Sequence, residues 1–314
     1  MRAKILGSAA GGGFPQWNCA CPNCSRLRAG DLHFKARTQA QVVVCADAGE
    51  CYLLNASPDL RSQILSTPLL APGVSPRHTP VAGILLTSAD VDSVAGLLSL
   101  REFQPLHIYA TQSVRRIVLE ENRIFRVLER ANPPVCWHDV AVDTWFPLGT
   151  NASSGEPSVR CRMVPLGNVF PDYVSEDLRR LLPPEEAVVG LVLAHGNKQM
   201  FYAPALPGRS NEWKEWAGSS DVCLLDGTFW SDTELISTGV GSNTAREIGH
   251  LPLSGAGGLL EESRSKKRAR KILIHINNTN PILDEESPEH REVRDAGWEI
   301  AYDGMEFDLQ PSYE

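Results

Sequence analysis

Val81-Ala82-Gly83-Ile84-Leu85-Leu86-Thr87-Ser88-Ala89-Asp90-Val91-Asp92-Ser93 opens as an apolar run and closes in a cluster of hydroxyls and carboxylates. A short apolar run that leads into polar residues reads as a buried strand. Residues 81–87 are therefore expected as a core strand that carries Ser88, Asp90, Asp92 and Ser93 to its carboxyl end, with helical spacing over 94–100 behind it. Working outward toward the amino terminus, 51–55, 39–45 and 2–6 are short apolar or β-branched runs bounded by turn residues and read as strands. Ser57-Pro58-Asp59 offers an N-cap with proline at the first helical position, followed by Leu60, Ile64 and Leu65 at helical spacing. On the other side Pro105 breaks the pattern before a strand at 107–110, and 114–128 has the spacing of an amphipathic helix. From Asn132-Pro133-Pro134 to Pro183-Pro184 the chain is rich in turn residues, with strand-like pieces at 140–146 and 159–164. Strands resume at 188–194, 199–202 and 222–225, and 271–276 precedes a helix that starts near Ser287-Pro288. Strand clusters in each half, alternating with helices that cover one side of each cluster, imply an α/β, four-layer αββα sandwich. With no linker and no fixed-period repeat, residues 1–314 are expected as a single domain.

At 314 residues and 42% hydrophobic composition the chain can bury a large core. The net charge of −8 argues against nucleic acid or an anionic membrane as partner, since both need a positive field. The start, Met1-Arg2-Ala3-Lys4-Ile5-Leu6-Gly7, lacks the apolar stretch of a secretory signal, and no apolar run reaches the ~18 residues of a membrane span, so a cytoplasmic protein is expected. The basic run Arg264-Ser265-Lys266-Lys267-Arg268-Ala269-Arg270-Lys271 is read as a solvated surface segment.

Eight cysteines without an export signal point to reduced thiols and metal ligation. Cys19, Cys21 and Cys24 stand in a C-x-C-x₂-C cluster, while Cys45, Cys51, Cys136, Cys161 and Cys223 are scattered. Three thiolates so close can wrap one zinc ion, which accepts tetrahedral sulfur and nitrogen ligands without redox change, and a fourth ligand must come from elsewhere. Acids and imidazoles stand at four further places: Asp90 with Asp92, Asp226 before Gly227-Thr228, His250 in Gly249-His250-Leu251-Pro252, and His275 in Ile274-His275-Ile276-Asn277-Asn278. Carboxylates and imidazoles together suit iron, zinc or manganese, or acid–base work. Each also has a plainer role, as a helix cap, a turn former or a hydrogen-bonded core histidine.

The opening Leu6-Gly7-Ser8-Ala9-Ala10-Gly11-Gly12-Gly13-Phe14-Pro15-Gln16-Trp17-Asn18-Cys19, with the cysteines that follow, resembles that of the pyrroloquinoline quinone (PQQ) biosynthesis protein B family. Leu54-Asn55-Ala56-Ser57-Pro58-Asp59-Leu60-Arg61, Gly96-Leu97-Leu98-Ser99-Leu100-Arg101-Glu102, Asp226-Gly227-Thr228-Phe229-Trp230, His275-Ile276-Asn277-Asn278-Thr279-Asn280-Pro281 and Tyr302-Asp303-Gly304 extend the resemblance along the whole chain. It implies a metallo-β-lactamase fold, a structural Zn²⁺ on Cys19, Cys21 and Cys24, and a part in making PQQ from a peptide-derived small-molecule precursor. It further implies a catalytic Fe²⁺ and oxygen-dependent hydroxylation of the tyrosine ring of a Glu–Tyr crosslinked diamino acid. Asp90, Asp92, Asp226 and His250 are the expected catalytic residues; His275 is the candidate fourth zinc ligand, with the catalytic metal as its alternative partner. Other PQQ biosynthesis proteins and a second copy of the chain are the candidate macromolecular partners.

The sequence departs from the fold's metal motif, His-x-His-x-Asp-His, by reading Ser88-Ala89-Asp90-Val91-Asp92-Ser93. Serine is a poor ligand for divalent iron, so Ser93 in place of an imidazole should weaken metal binding. Position 205 holds alanine where the family implies glycine. Two rival readings follow: a carrier or transport protein for PQQ or its precursor, and a divergent metallohydrolase of the same fold. Arg61 or Arg101 is the expected clamp for a substrate carboxylate.

Overall fold

The computed structural model describes residues 1–46, 49–73, 75, 77–102, 105–130, 135–148, 159–208, 211–263 and 269–309. Residues 264–268 of the basic run and Asn132, Pro133 and Pro134 lie outside them. The strands, in chain order, are β1 (Arg2–Gly7), β2 (Gln41–Cys45), β3 (Cys51–Leu54), β4 (Val81–Leu85), β5 (His107–Ala110), β6 (Cys136–Asp139), β7 (Trp145–Leu148), β8 (Val159–Gly167), β9 (Val188–His195), β10 (Lys198–Ala203), β11 (Val222–Asp226), β12 (Arg270–Ile274), β13 (Trp298–Ile300) and β14 (Glu306–Asp308). They form two seven-stranded sheets, ordered β14-β1-β2-β3-β4-β5-β6 and β13-β12-β11-β10-β9-β8-β7. Each sheet is antiparallel along one flank and parallel along the other, changing at β3/β4 in the first and β10/β11 in the second.

Side-chain alternation explains why these strands read as unbroken apolar runs. Val42 and Val44 of β2 enter the core between the sheets with Val189, Leu191 and Leu193 of β9, whereas Val43 and Val192 face the outer helices. Both faces are covered, so both parities must be apolar. The helices lie outside: Leu60 of Leu60–Leu65 and Trp213 of Glu212–Ser219 join the outer core. The αββα sandwich expected from the sequence is the observed architecture.

Several local expectations are corrected. Ser57 does not cap the helix Leu60–Leu65; it is buried, its hydroxyl donates to Gln63 Oε1 at 2.8 Å, and Asp59 holds the cap position. Residues 114–128 form no single helix but a short one, Gln112–Arg116, a wide turn, Ile117–Glu121, and a 3₁₀ segment, Arg123–Arg130. Asn122 ends the turn by donating to the Ile117 carbonyl at 3.3 Å. Residues 140–144 are a crossing between sheets, not a strand; Val140 and Val142 are apolar because they plug the end of the inter-sheet core. Cys45 and Cys51 are register partners on β2 and β3, Cα–Cα 4.0 Å, and form a disulfide where reduced thiols were expected.

Two signature segments have structural explanations. A Cβ on Gly96 would lie 2.2 Å from the Ser57 carbonyl oxygen, so only glycine lets these loops meet. Asp303 accepts from Ser8 Oγ at 2.8 Å and from the Thr38 amide and hydroxyl at 2.7 and 2.8 Å, joining the carboxyl-terminal turn to the end of β1.

A candidate metal-binding cleft

The parallel strands β4, β11 and β12 end on the same side of the molecule, where loops leave the sheets. After β4, the Thr87 amide donates to Asn55 Oδ1 at 2.8 Å and Asn55 Nδ2 donates back to Thr87 Oγ1 at 2.9 Å, fixing where the polar loop begins. One helical turn, Val91–Val94, follows. Asp90 sits at its cap position without capping it; its carboxylate accepts from Ser88 Oγ at 2.7 Å. Asp92 Oδ2 reaches His275 Nε2 at 2.9 Å.

Asp226, the last residue of β11, is fully buried. Its Oδ1 accepts from the Thr228 amide at 3.0 Å and hydroxyl at 2.6 Å; its Oδ2 accepts from the Leu206 amide at 2.9 Å and pairs with His250 Nδ1 at 2.8 Å. His275 follows β12 with a left-handed φ of 62° and sets Nδ1 2.8 Å from Thr228 Oγ1. The His250 and His275 rings stack at 5.4 Å, and Phe229 meets His250 edge-on at 5.7 Å. Asp226, His250 and His275 bring potential ligand atoms within 4.8 Å of one another.

Burial and neighbouring charge oppose one another inside this cluster. Burial alone would raise the Asp92 carboxyl, but the hydrogen bond and charge of His275 outweigh it and hold it below the usual range. Asp226 behaves alike: burial opposes ionisation, and the charge and hydrogen bond of His250 overcome it. Burial would lower His275, yet its bond to Asp92 raises it. Asp90 is raised, by burial and then by the neighbouring Asp92 charge.

The donor set fits a metal. Each imidazole has Nδ1 engaged by the protein, His250 with Asp226 and His275 with Thr228, an arrangement that fixes ring orientation and would present Nε2 to a metal, the position that Asp92 takes up at His275 in this structure. Two imidazoles with carboxylates nearby form the kind of set that holds divalent iron while leaving positions open. The surrounding cavity measures about 600 Å³ and is walled by Gly11, Val169, Phe170 and Ala205. Asp172 and Glu247 also line it; among the described residues it is lined by no arginine or lysine. The expected carboxylate clamps, Arg61 and Arg101, are exposed and absent from that lining.

The three cysteines form a separate group. Cys19, Cys21 and Cys24 Sγ atoms lie within 4.8 Å of one another at the start of the helix Pro22–Arg28. The side chain facing them is Asn278, whose Nδ2 stands 3.1, 3.5 and 3.4 Å from the three sulfurs. Asn23 Nδ2 donates to the carbonyls of Asn278 and Asn280 at 3.1 and 3.0 Å, tying the two loops together. Burial pushes the Cys24 thiol up to about 11, whereas hydrogen bonds from Cys21 and Asn278 hold Cys19 below its usual value against its own burial. Three convergent sulfurs suit zinc.

His275, the candidate fourth zinc ligand, lies in the cleft with both ring nitrogens engaged there, and it is the residue three positions on that meets the sulfurs. Thr228 and Asn278 give no sign of a site in the sequence because a hydroxyl and an amide carry no charge signal, although they lie in the Asp226-Gly227-Thr228 and His275-to-Asn278 segments. Their spacing from Asp226 and His275 was the available clue.

Residues 51–276 match the beta-lactamase superfamily domain model. The chain is 40% identical over 309 residues to coenzyme PQQ synthesis protein B of Methylobacterium sp. (strain 4-46), covering 98% of this chain and 100% of the relative. The solved structure of Zn(2+)-bound PqqB from Methylobacterium extorquens superposes with a TM-score of 0.88 at 36% identity, covering 98% of this chain and 100% of that one. A diphosphatase of the PhnP family shares the fold at a TM-score of 0.66 and 18% identity, covering 98% of each chain.

Proposed function

The chain belongs to the coenzyme PQQ synthesis protein B family of the beta-lactamase superfamily, and from that premise we propose that it acts in PQQ synthesis as an iron- and oxygen-dependent hydroxylase. Its substrate is the peptide-derived Glu–Tyr diamino acid. The observation that carries this reading is the pair of stacked histidines, each with Nδ1 engaged by the protein, beside Asp92 in the cavity. His250, His275 and Asp92 would hold the iron, with Asp226 orienting His250 and adding a carboxylate to the donor set. When bound, iron supplies the activation of dioxygen. In the net reaction a ring C–H becomes C–OH with one atom of dioxygen; the other leaves as water with two electrons and two protons from an external reductant of the ascorbate or thiol class. Asp90, hydrogen-bonded by Ser88, is placed to take or give a proton at the cavity wall. Asp172 and Glu247 suit the ammonium groups of a diamino acid. Phe170 and Val169 shield the ring from water. Cys19, Cys21 and Cys24 would hold zinc and so keep the glycine-rich loop over the cleft, where a Cβ on Gly11 would stand 3.5 Å from Asp92 Oδ2.

The test is incubation of iron-loaded protein with the diamino acid, reductant and isotopically heavy dioxygen. One heavy oxygen atom in the ring, lost on chelation, is expected; persistent turnover after both metals are removed rules out the iron chemistry. Ser88 and Ser93, where the fold's motif has imidazoles, favour a second reading, a carrier that binds the precursor unchanged. Tight precursor binding with no oxygen incorporated at full iron occupancy supports that carrier.

A further inference from the structure

On the far side of the first sheet, β5 and β6 run parallel with His107 opposite Cys136 and Tyr109 opposite His138. These four residues share one strand parity, and His107, Tyr109 and His138 line a second cavity of about 980 Å³ where the margins of the two sheets meet, with Phe146 of β7 also in its wall. His107 Nδ1 and His138 Nε2 stand 2.8 Å apart, and a ligand atom from each of His107, Cys136 and His138 lies within 4.8 Å of the others. His107 and Cys136 are exposed and His138 is half-buried. The rings are held in place: His138 stacks on Tyr109 at 4.5 Å and on His107 at 5.1 Å, and Tyr109 stacks on Phe146 at 5.6 Å.

We propose that His107, Cys136 and His138 form a second zinc site, separate from the cleft and from the cysteine cluster. A hydrogen bond between two neutral imidazoles accounts for the two nitrogens but not for a thiol converging on the same point. Two nitrogens on one tetrahedral zinc stand about 3.3 Å apart, so coordination asks the pair to open by roughly half an ångström, well within side-chain adjustment. Two imidazoles and a thiolate select zinc over magnesium or calcium, which prefer oxygen. Strand pairing fixes the three backbones and stacking fixes the rings, so little freedom is lost when the ion arrives. Three protein ligands leave the fourth position to water or to a donor group of a molecule in the cavity.

The test is the rate at which a thiol-alkylating reagent modifies Cys136, read by peptide-resolved mass spectrometry on the full chain with and without micromolar zinc. Exposed Cys136 reacts readily in the absence of metal. Zinc should slow the reaction at least tenfold in the wild type, and His107→Ala and His138→Ala should each abolish most of that protection. An unchanged rate in the wild type overturns the site. Protection that survives both histidine variants overturns it too, because the thiol would then bind zinc without them.

Discussion

Ser93 is buried beside Ser88, hydroxyl to hydroxyl 3.3 Å, and both line the cleft. An imidazole there would project into the cavity near Asp92, so Ser93→His should tighten divalent iron by about tenfold, the lower end of what one ligating or orienting group contributes. Competition against a chromophoric chelator measures this, and an unchanged dissociation constant would put the metal elsewhere. Glu234 offers a second residue-level check. Burial pushes its carboxyl up to about 7, although it accepts from the Trp230 amide at 2.6 Å and from Thr279. Between its ordinary value of 4.5 and about 7 the folded chain holds a proton that the unfolded chain has lost, so this group's stabilisation is complete below that window and vanishes as pH rises through it. The span corresponds to about 3 kcal/mol. Urea melts across that window should show this decline in the wild type and a flatter profile in Glu234→Gln; identical slopes would mean that the carboxyl titrates normally. At this scale Asp92, Asp226, His250 and His275 were legible, because acids and imidazoles at strand ends are chemically conspicuous. Thr228 and Asn278 were not, since nothing but three-dimensional contact separates them from ordinary loop residues.

Strands with full-length apolar runs, such as residues 81–87 and 188–194, were readable because both faces are covered. β6, β13 and β14 were not: they are three or four residues long and carry Asp, Glu or His among so few positions, lacking the apolar run that made the equally short β3 readable. The stretch 114–128 misled for another reason: its apolar spacing serves a chain of three short turns that present the same face. The joint between the helix Pro22–Arg28 and the loop after β12 carries the element-level prediction. If zinc on Cys19, Cys21 and Cys24 closes that joint, Cys21→Ser should release zinc and cost a few kcal/mol, lowering Tm by roughly 5 °C or more. Retained zinc at unchanged Tm, read by elemental analysis and thermal melting, would remove the structural role of the cluster.

Across the molecule, two sheets of matching order, each with an antiparallel and a parallel flank, place the carboxyl ends of β4, β11 and β12 on one side. The layered architecture was accessible from the sequence because strand clusters and covering helices leave few ways to bury their apolar faces. The meeting of Asp92 with His275, 183 residues apart, was not, because it depends on how the two sheets face one another. That meeting is the core of the functional account, in which a metal would be held in an open cleft by groups from both sheets. The direct test is iron per chain after anaerobic purification and reloading, measured by mass spectrometry for the wild type and for His275→Ala. The account predicts close to one iron in the wild type and close to none in the variant; an iron-free wild type, or iron fully retained without the imidazole, would contradict it.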